Sequence, residues 1–340
     1  MFEQQNPFRS GGHMGKSASR ILSILRESDG YVSGQEISDM LGISRTAVWK
    51  NINSLRDYGY TIDAVSNRGY RLLRGVDIPT ADEIGRQCAA SVFGREIVYM
   101  ASLSSTNNLA MMLAAQGAEH GTVVTSDEQT SGKGRMGRDW YSPPGTNLYI
   151  SVVLRPPVFP AEASQIPILA VLAEMRAMRR LCPGLDLAVK WPNDVYCSGR
   201  KVCGTLCEMK AETDSVEHLV VGTGINVNAN PSDHDMPLTA TSLFMETGQK
   251  QSRAELAARF LEDFERVYER WLSECSLEPF MMEWNSASLL LGRRVDVRTA
   301  SKVITGISMG IAENGALKLQ LKDGTKRLVY AGDATLHGSF

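Results

Sequence analysis

The stretch DEQTSGKGRMGRDW, residues 127–140 of the 340-residue chain, carries a dense chemical signal. Three glycines alternate in it with three cations, which are Lys133, Arg135 and Arg138. Glycine lets the backbone approach an anion with its amides turned inward, and an arginine fork matches phosphate or carboxylate oxygens. The pattern predicts a loop that folds over a phosphate, although a basic surface loop would look the same in isolation. It is not a P-loop, because the order GxxxxGK[ST] is absent.

Three further polar segments follow this stretch in the chain. They are VKWPNDVY at residues 189–196, GRKVCGTLCE at 199–208 and VGTGINVN at 221–228. The first predicts a strand that ends at a rigid Trp-Pro corner beside Lys190, Asn193 and Asp194. The last predicts a glycine-rich strand end that presents Asn226. Together with the basic loop, these segments supply the cations, amides and carboxylate that a site handling anions requires.

The elements between residues 80 and 288 alternate between helical and extended patterns without strict β-α-β repetition. Such mixing predicts an α/β (α+β) fold with a mixed sheet rather than a doubly wound one. The expected strands cover residues 97–100, 122–126, 147–154, 187–190, 201–208 and 218–222, and the expected helices cover 81–88, 105–115, 166–181 and 261–272.

The N-terminal part, residues 15–75, predicts a winged helix-turn-helix. Ser33 and Glu36 have the spacing of a capping box, and a glycine turn separates their helix from the next one, at 45–58. Residues 60–72 alternate around an Asn-Arg-Gly turn and predict a hairpin, which would be the wing. Residues 1–14 are polar and glycine-bearing and are expected to be a disordered extension or a tag.

The polar face of this N-terminal unit predicts DNA binding. Residues 15–75 hold nine Lys/Arg against six Asp/Glu, a net charge of +3, whereas the whole chain carries −2. A basic module on an acidic body indicates that one part meets a polyanion. A module that only contacts proteins is the alternative. The side chains expected to reach bases or phosphates are Arg45, Thr46, Trp49, Lys50, Asn53 and Arg68.

The composition favours a cytoplasmic protein. Hydrophobic residues make up 43% and charged residues 22%, no apolar run approaches the roughly 20 residues that cross a membrane, and no export signal is present. The three neighbouring cysteines lack the paired spacing of a zinc site, so we expect buried thiols and no metal held by protein ligands alone. These are Cys197, Cys203 and Cys207.

The four segments together resemble the biotin protein ligase family, since its glycine-arginine loop, KWPND, GRKxxGxLxE and GxGINxN motifs occur here in that family's order. The resemblance covers the chain from the winged helix to the C-terminus. It implies a catalytic domain at 80–288 that uses ATP, Mg²⁺ and biotin. The short alternating runs at 289–340 then imply an SH3-like small β-barrel, so three domains are expected in all.

The resemblance also implies roles for individual residues. The biotin set, as we call it, comprises Ser105, Thr106, Asn107, Gln129, Lys133, Gly134, Arg135 and Lys190. The nucleotide set comprises Arg138, Trp140, Asn193, Asp194 and Asn226. The expected catalytic cations are Lys190, Arg135 and Lys133. Lys133 stands where the family usually has arginine. The lysine keeps the positive charge but loses the bidentate geometry of a guanidinium group.

The implied function is ATP-dependent formation of biotinyl-5'-AMP, followed by transfer of biotin to a lysine of biotin carboxyl carrier protein. The winged helix implies repression of biotin biosynthesis genes by a homodimer on operator DNA, with biotinyl-5'-AMP as corepressor. Two alternatives remain at this stage. One is a repressor that only senses biotin without catalysis, and the other is a lipoate-type acyl ligase.

Overall fold

The computed structural model describes residues 15–73, 77–230 and 236–337. The segment 1–14, predicted to be an extension or a tag, lies outside the described residues. Three sheets of two, seven and five strands follow one another along the chain. The multidomain α/β (α+β) architecture expected from the sequence is therefore confirmed at this level.

The N-terminal unit is a helix-turn-helix followed by a two-stranded hairpin. The predicted capping box is present, because Glu36 N donates to Ser33 Oγ at 3.1 Å and Ser33 N donates to Glu36 Oε2 at 2.8 Å. Val48, Ile52 and Leu55 are buried, so the opposite face of their helix is left to solvent. The elements are α1 (Lys16–Glu27), α2 (Gly34–Leu41), α3 (Arg45–Asp57), β1 (Ile62–Val65) and β2 (Gly69–Leu72).

The central unit is built on a seven-stranded mixed sheet with the order β3-β4-β5-β9-β8-β7-β6. Only β3 and β4 run parallel among its paired strands. Its elements are α4 (Ala81–Gly85), β3 (Ile97–Leu103), α5 (Thr106–Ala115), β4 (Val123–Gln129), β5 (Leu148–Leu154), α6 (Pro160–Ala163), α7 (Ile166–Leu181), β6 (Leu187–Lys190), β7 (Asp194–Cys197), β8 (Arg200–Ala211), β9 (Val216–Ile225), α8 (Leu243–Thr247), α9 (Arg253–Glu274) and α10 (Glu278–Ala287).

Two differences from the expected elements have local causes. Helix α4 ends at Gly85 rather than at residue 88, because the chain turns so that the amides of Ala89 and Ser91 reach carboxylates of α9. Strand β7 was not predicted, and it follows a cis Trp191-Pro192 bond that reverses the chain directly after β6. The strand is short and buried, so its residues show no alternating pattern.

The sheet has helices on both faces. Helices α7 and α9 pack together over one face and bury the main apolar core, whereas α5 covers β4, β5 and β9 on the other. Helix α7 is apolar almost all round, as expected for a helix enclosed by protein. Its charged residues are three arginines, Arg176, Arg179 and Arg180, and Glu174, which is fully buried.

The C-terminal unit is an antiparallel sheet with the order β13-β12-β11-β10-β14. Its last strand was not predicted, and it is placed in the sheet by pairing with β10. The strands are β10 (Arg294–Arg298), β11 (Val303–Ile311), β12 (Leu317–Gln320), β13 (Lys326–Val329) and β14 (Asp333–Leu336).

The N-terminal unit contacts the central unit through α1 and α4. Arg26 of α1 pairs with Asp82, at 2.6 Å, and with Glu83. The Tyr60 hydroxyl lies 3.0 Å from Thr80 Oγ1, the cap of α4. Within the described ranges, no helix has both the length and the apolar character needed to span a membrane.

Candidate functional site

A cavity of about 690 Å³ lies between the basic loop, β8 and the segment after β9. Its walls include most of the nucleotide and biotin sets, although these residues come from segments far apart in sequence. The predicted residues that line it are Gln129, Lys133, Gly134, Arg135, Arg138, Trp140, Asn193, Asp194 and Asn226. The structure thus brings the basic loop and the three other polar segments to one place.

A smaller cavity of about 30 Å³ adjoins the first one. The two share Gln129, Lys133, Trp140 and two residues of β8, so they form one continuous site. The smaller cavity contains the rest of the biotin set except Lys190, and those residues are Ser105, Thr106 and Asn107 at the start of α5. All three are buried.

The polar groups of the smaller cavity hold one another in place. Gln129 Oε1 accepts from the backbone amide of Thr106 at 2.9 Å and from its hydroxyl at 3.1 Å. Asn107 Nδ2 donates to Glu208 Oε2 at 2.8 Å, and Asn107 Oδ1 accepts from Ser151 Oγ at 2.7 Å. Ser151 was not among the predicted residues, since it lies within an otherwise apolar strand.

The basic loop makes a tight turn at its tip. Gly134 N donates to Arg138 O at 2.6 Å, and the backbone between them includes a left-handed residue, Met136, with φ of 57°. Lys133 Nζ donates to Asn108 Oδ1 at 2.7 Å, which fastens one side of the loop to α5. The loop therefore lies across the mouth of the smaller cavity.

The two arginines of the loop reach toward the C-terminal unit. Arg135 donates to Asn193 Oδ1 at 3.0 Å and to the carbonyl of Gly332 at 3.1 Å. Arg138 pairs with Asp333 Oδ2 at 2.7 Å, although its side chain stays largely exposed. Because both arginines have exposed or partly exposed heads, a bound anion can compete for them with these neutral or single-charge partners.

Trp140 lies flat on β8 and β9. A Cβ atom at Gly224 would stand 2.5 Å from the indole Nε1, and one at Gly204 would stand 3.0 Å from the ring. Glycine at both positions therefore makes room for this aromatic ring. Its Nε1 is buried and has no hydrogen-bond partner among the residues that the structure describes, so this donor faces the cavity unpaired.

The structure does not bring Lys190 to the cavity. Its ammonium lies 3.4 Å from the hydroxyl of Tyr196 and over that ring, and Lys190 is not among the lining residues. Lys190 lies on the edge strand β6, where it is paired with Asp194 of β7.

Lys201, which was not among the predicted residues, does lie at the cavity. It lines the cavity, pairs with Asp194 Oδ1 at 2.6 Å and lies 5.2 Å from the Trp140 ring centre. Asp194, a member of the nucleotide set, is therefore held by a lysine of β8. The signal was present in the GRKVCGTLCE segment, but only the register of β8 shows which of its residues face the cavity.

The remaining amides of the nucleotide set are anchored to backbone. Asn193 Nδ2 donates to Thr205 O, and Asn226 Nδ2 donates to Thr241 O at 3.0 Å. The oxygen of Asn193 accepts from Arg135, so this side chain links β8 to the basic loop. Asn193 and Asn226 are both mostly buried, which fixes their orientation at the cavity wall.

Three of the six predicted DNA-binding residues line a groove of about 890 Å³ between α3 and the hairpin. Arg45, Thr46 and Trp49 line it, and the Trp49 side chain is 56% exposed. Lys50 is exposed outside the groove, and Asn53 accepts from Arg56. An exposed tryptophan on this helix face is not needed for packing, which favours a contact surface here.

The hairpin cation is held by an aromatic ring. Arg68 lies 4.7 Å from the ring centre of Tyr31 and remains exposed. Arg71 stacks on the same ring. The ring thus keeps two cations on the hairpin side of the groove.

Three family models match successive parts of the chain. An HTH domain matches residues 18–71, the Biotin/lipoate A/B protein ligase family matches 99–226, and the Biotin protein ligase C terminal domain matches 290–336. These ranges fall on the N-terminal unit, the central sheet and the C-terminal sheet, respectively.

Individual relatives resemble the chain over most of its length. The bifunctional ligase/repressor BirA of Bacillus subtilis is 38% identical over 90% of this chain and 94% of its own length. The corresponding protein of Escherichia coli is 29% identical over 94% of this chain and 97% of its own. The structure of the biotin protein ligase from Aquifex aeolicus in complex with biotin and ATP aligns with a TM-score of 0.61, at 29% identity, over 72% of this chain and 99% of that one.

The relatives match all three units at once, and the matched central region contains most of the polar groups that surround the continuous cavity. A chain that shares only the helix-turn-helix would not extend this similarity through the catalytic and C-terminal regions. The protein therefore belongs to the biotin protein ligase family, in its bifunctional ligase/repressor form.

Proposed function

We propose that the continuous cavity activates biotin with ATP and that the protein then transfers biotin to a lysine of a carrier protein. The proposal rests on one observation. All residues of the biotin set and the nucleotide set, except Lys190, line two adjoining cavities. A volume of about 690 Å³ is in the range of small-molecule sites, and the adjoining cavity extends it toward α5.

The cations of the site can offset the repulsion between the two anions that react in the first step. An oxygen of the biotin carboxylate attacks the α-phosphorus of ATP, the bond to the β-phosphate oxygen breaks, and pyrophosphate leaves with its electron pair. Both reactants are anions, so positive groups must offset their repulsion and the charge that develops. We assign this role to Lys201 and Arg135, with Lys133 at the loop.

The protein needs no nucleophile of its own for the second step. The amine of the carrier lysine attacks the acyl carbon of biotinyl-5'-AMP, and AMP leaves. The adenylate is a mixed anhydride that water would hydrolyse, so covering it protects it. The basic loop, fastened to α5 by Lys133 and to Asn193 by Arg135, is positioned to form that cover.

We assign the head group of biotin to the smaller cavity. Ser105, Thr106 and Asn107 offer hydroxyls and an amide for the ureido group, and Gln129 stands between this cavity and the larger one. We assign the adenosine part of ATP to the larger cavity. There Trp140 supplies a flat surface, and Arg138 supplies a cation near the rim.

Asp194 fits the requirements for a magnesium ion brought by ATP. Mg²⁺ in such sites takes one or two carboxylates and completes its shell with phosphate oxygens and water. Asp194 lines the cavity, and its carboxylate lies 2.6 Å from the Lys201 ammonium. Mg²⁺ would reduce the repulsion between the phosphates and the biotin carboxylate.

The test compares two lysines that sequence motifs alone do not separate. Wild type, Lys201→Ala and Lys190→Ala are incubated with ATP, Mg²⁺, biotin and a biotin carboxyl carrier domain, and the carrier mass is followed. We expect biotinylation on one lysine by the wild type, a loss of about a hundredfold in rate for Lys201→Ala, and a change below about threefold for Lys190→Ala.

The other outcomes separate the alternatives. An unmodified carrier together with tight binding of biotinyl-5'-AMP would replace the ligase by a biotin sensor. Transfer of lipoate in preference to biotin would favour the lipoate-type ligase. A larger loss in Lys190→Ala than in Lys201→Ala would return the catalytic role to the lysine first predicted from the KWPND motif.

We further propose that the N-terminal unit binds operator DNA of biotin genes as part of a homodimer, with biotinyl-5'-AMP as corepressor. The groove between α3 and the hairpin, lined by Arg45, Thr46 and Trp49, supports this, and so does the helix-turn-helix match. Binding to DNA upstream of biotin genes, with and without biotinyl-5'-AMP, tests it. Unchanged binding on addition of the adenylate would argue against the corepressor.

The organisation we propose has a winged helix at 15–75, a catalytic domain at 80–288 and an SH3-like barrel at 289–340. The five-stranded antiparallel order of the last unit is compatible with such a barrel. We place the protein in the cytoplasm, where biotin carboxyl carrier domains and DNA are both accessible in a bacterium.

A further inference from the structure

Glu174 is a carboxylate enclosed in the core beneath the site. It lies on α7, where the other buried residues are apolar, and none of its surface is exposed. A buried carboxylate without a cation is costly, so such a group is retained only where its hydrogen bonds are satisfied. Glu174 lies under β8 and β9, the strands that border the cavity.

Three donors satisfy this carboxylate, and all of them come from the two strands above. Thr205 Oγ1 and Thr223 Oγ1 donate to Oε1 at 2.6 and 2.7 Å, and Cys203 Sγ donates to Oε2 at 3.1 Å. Thr205 and Thr223 are directly paired across β8 and β9. One carboxylate oxygen thus ties the two strands to each other and to α7.

The same two strands carry the floor of the cavity on their opposite face. Gly204 and Gly224, each next in sequence to one of the threonines, are paired with each other and lie against Trp140. Side chains alternate between the two faces of a strand. The hydrogen bonds to Glu174 on one face therefore hold in place the strand backbone that borders the cavity on the other face. Glu174 therefore acts on the cavity floor without touching the cavity.

A second connection runs from Thr205 to the basic loop. The backbone of Thr205 exchanges two hydrogen bonds with Asn193, one from Thr205 N to Asn193 O at 2.9 Å and one from Asn193 Nδ2 to Thr205 O. Asn193 Oδ1 then accepts from Arg135. The path from Glu174 to the loop arginine thus contains two intermediate residues.

We propose that Glu174 is a positioning residue for adenylate formation, which holds Thr205 so that Asn193 and Arg135 stay aligned at the cavity. The inference rests on the proposed function, because its readout is the rate of that reaction. Glu174 itself contacts neither substrate, and its effect passes through β8.

The test measures the rate of a single turnover to biotinyl-5'-AMP, without a carrier, over a range of biotin concentrations for wild type, Glu174→Gln and Thr205→Val. The limiting rate gives kcat, and the half-saturating biotin concentration gives KM. Glutamine keeps the shape of the side chain and replaces an acceptor by a donor facing the threonine hydroxyls. We expect kcat to fall by about tenfold or more in both variants, while KM for biotin changes less than about threefold. Met175→Leu, a buried neighbour on α7, is the control and should behave like wild type.

A double-mutant cycle with Arg135 separates positioning from a general weakening of the fold. If Glu174 acts through Arg135, then Glu174→Gln should lower kcat by less than about twofold in an Arg135→Ala background. A reduction as large as in the wild-type background would overturn the proposed path. The melting temperature of each variant shows that the rates belong to folded protein.

The outcomes keep this inference apart from the proposed function. A wild type that forms no biotinyl-5'-AMP defeats the ligase proposal, and this inference with it. An active wild type with equally active Glu174→Gln and Thr205→Val overturns the inference alone. If Glu174→Gln does not fold, Thr205→Val and Thr223→Val, each lacking one donor to the carboxylate, decide the question by the same rates.

Discussion

At the scale of single residues, Gly222 and Asn107 show how closely the smaller cavity is built. A Cβ atom at Gly222 would stand 1.8 Å from Asn107 Oδ1 and 2.6 Å from its Cγ. Asn107 is fixed by Ser151 and Glu208 and has no room to retreat. The glycine is thus required for the asparagine to lie on the cavity floor.

We therefore expect Gly222→Ala to lower the affinity for biotin by at least about tenfold, because the displaced amide no longer meets the ligand. Isothermal titration with biotin measures this. Gly85→Ala serves as the matched control, since nothing lies within 4 Å of the added methyl group and binding should not change. Wild-type affinity in Gly222→Ala would show that Asn107 does not contact biotin.

Because Glu174 is buried, we also expect the free energy of unfolding to depend on pH. Burial, with a smaller contribution from Asp194, raises the pKa of its carboxyl group from 4.5 to about 7, against the effect of the three hydrogen bonds. Between these values the folded state keeps a proton that the unfolded state has released. The stabilisation linked to this group is therefore complete below pH 4.5 and is lost as the pH rises to about 7.

Glu174→Gln cannot titrate and lacks this contribution. Between pH 4.5 and 7.5, its free energy of unfolding should rise relative to wild type by on the order of 3 kcal/mol, from about 1.4 kcal/mol per pKa unit. Urea denaturation at several pH values measures the difference. Stability curves that stay parallel across this range would mean that the pKa of Glu174 is not raised.

At the scale of elements, the helix-turn-helix depends on the start of α2. The capping box of Ser33 and Glu36 satisfies amides that the first helical turn leaves unpaired, and hydrogen bonding to Ser33 lowers the pKa of Glu36. Ser33 also lies on the groove between α3 and the hairpin. The start of α2 is therefore linked to the proposed DNA surface.

Ser33→Ala should destabilise the N-terminal unit by about 1 kcal/mol, the usual cost of losing a cap. Hydrogen exchange of the α2 amides measures the loss locally. Gln35→Ala, which removes only an exposed contact with Asp39, should leave the exchange rates near those of wild type. Unchanged protection in Ser33→Ala would show that the box adds nothing to helix stability.

At the scale of the whole molecule, the N-terminal and central units meet through a small set of polar contacts. Arg26 bridges to Asp82 and Glu83 with side chains that are 12%, 21% and 18% exposed. Farther along the chain, Asp77 accepts from the buried Arg253 at the start of α9. These contacts orient the winged helix against the catalytic body.

Arg26→Ala should loosen this junction without reaching the cavity. We expect two separate transitions, or a broader one, in calorimetry, and a rate of biotinyl-5'-AMP formation within about twofold of wild type. Lys210→Ala, which removes an exposed ion pair with Glu217 inside the central unit, should keep the wild-type melting profile. A single sharp transition in Arg26→Ala would mean that other contacts couple the units.

The sequence by itself determined the features whose cause is local. The capping box, the helix-turn-helix, the mixed character of the sheet and the polar motifs depend on residues close together in the chain, where side-chain spacing and backbone preference act directly. The family followed from the same motifs, because their order and composition are specific.

Only the tertiary structure decided which motif residues share one site. Lys190 lies on the edge strand whereas Lys201 lies on β8 beside Asp194, and no spacing in the chain distinguishes them. Ser151 lies in an apolar strand and Glu174 among the apolar buried residues of α7, and only the packing of helices on the sheet brings them to Asn107 and Thr205. Strand order and register arise from packing between distant segments, which is why these roles stayed hidden in the sequence.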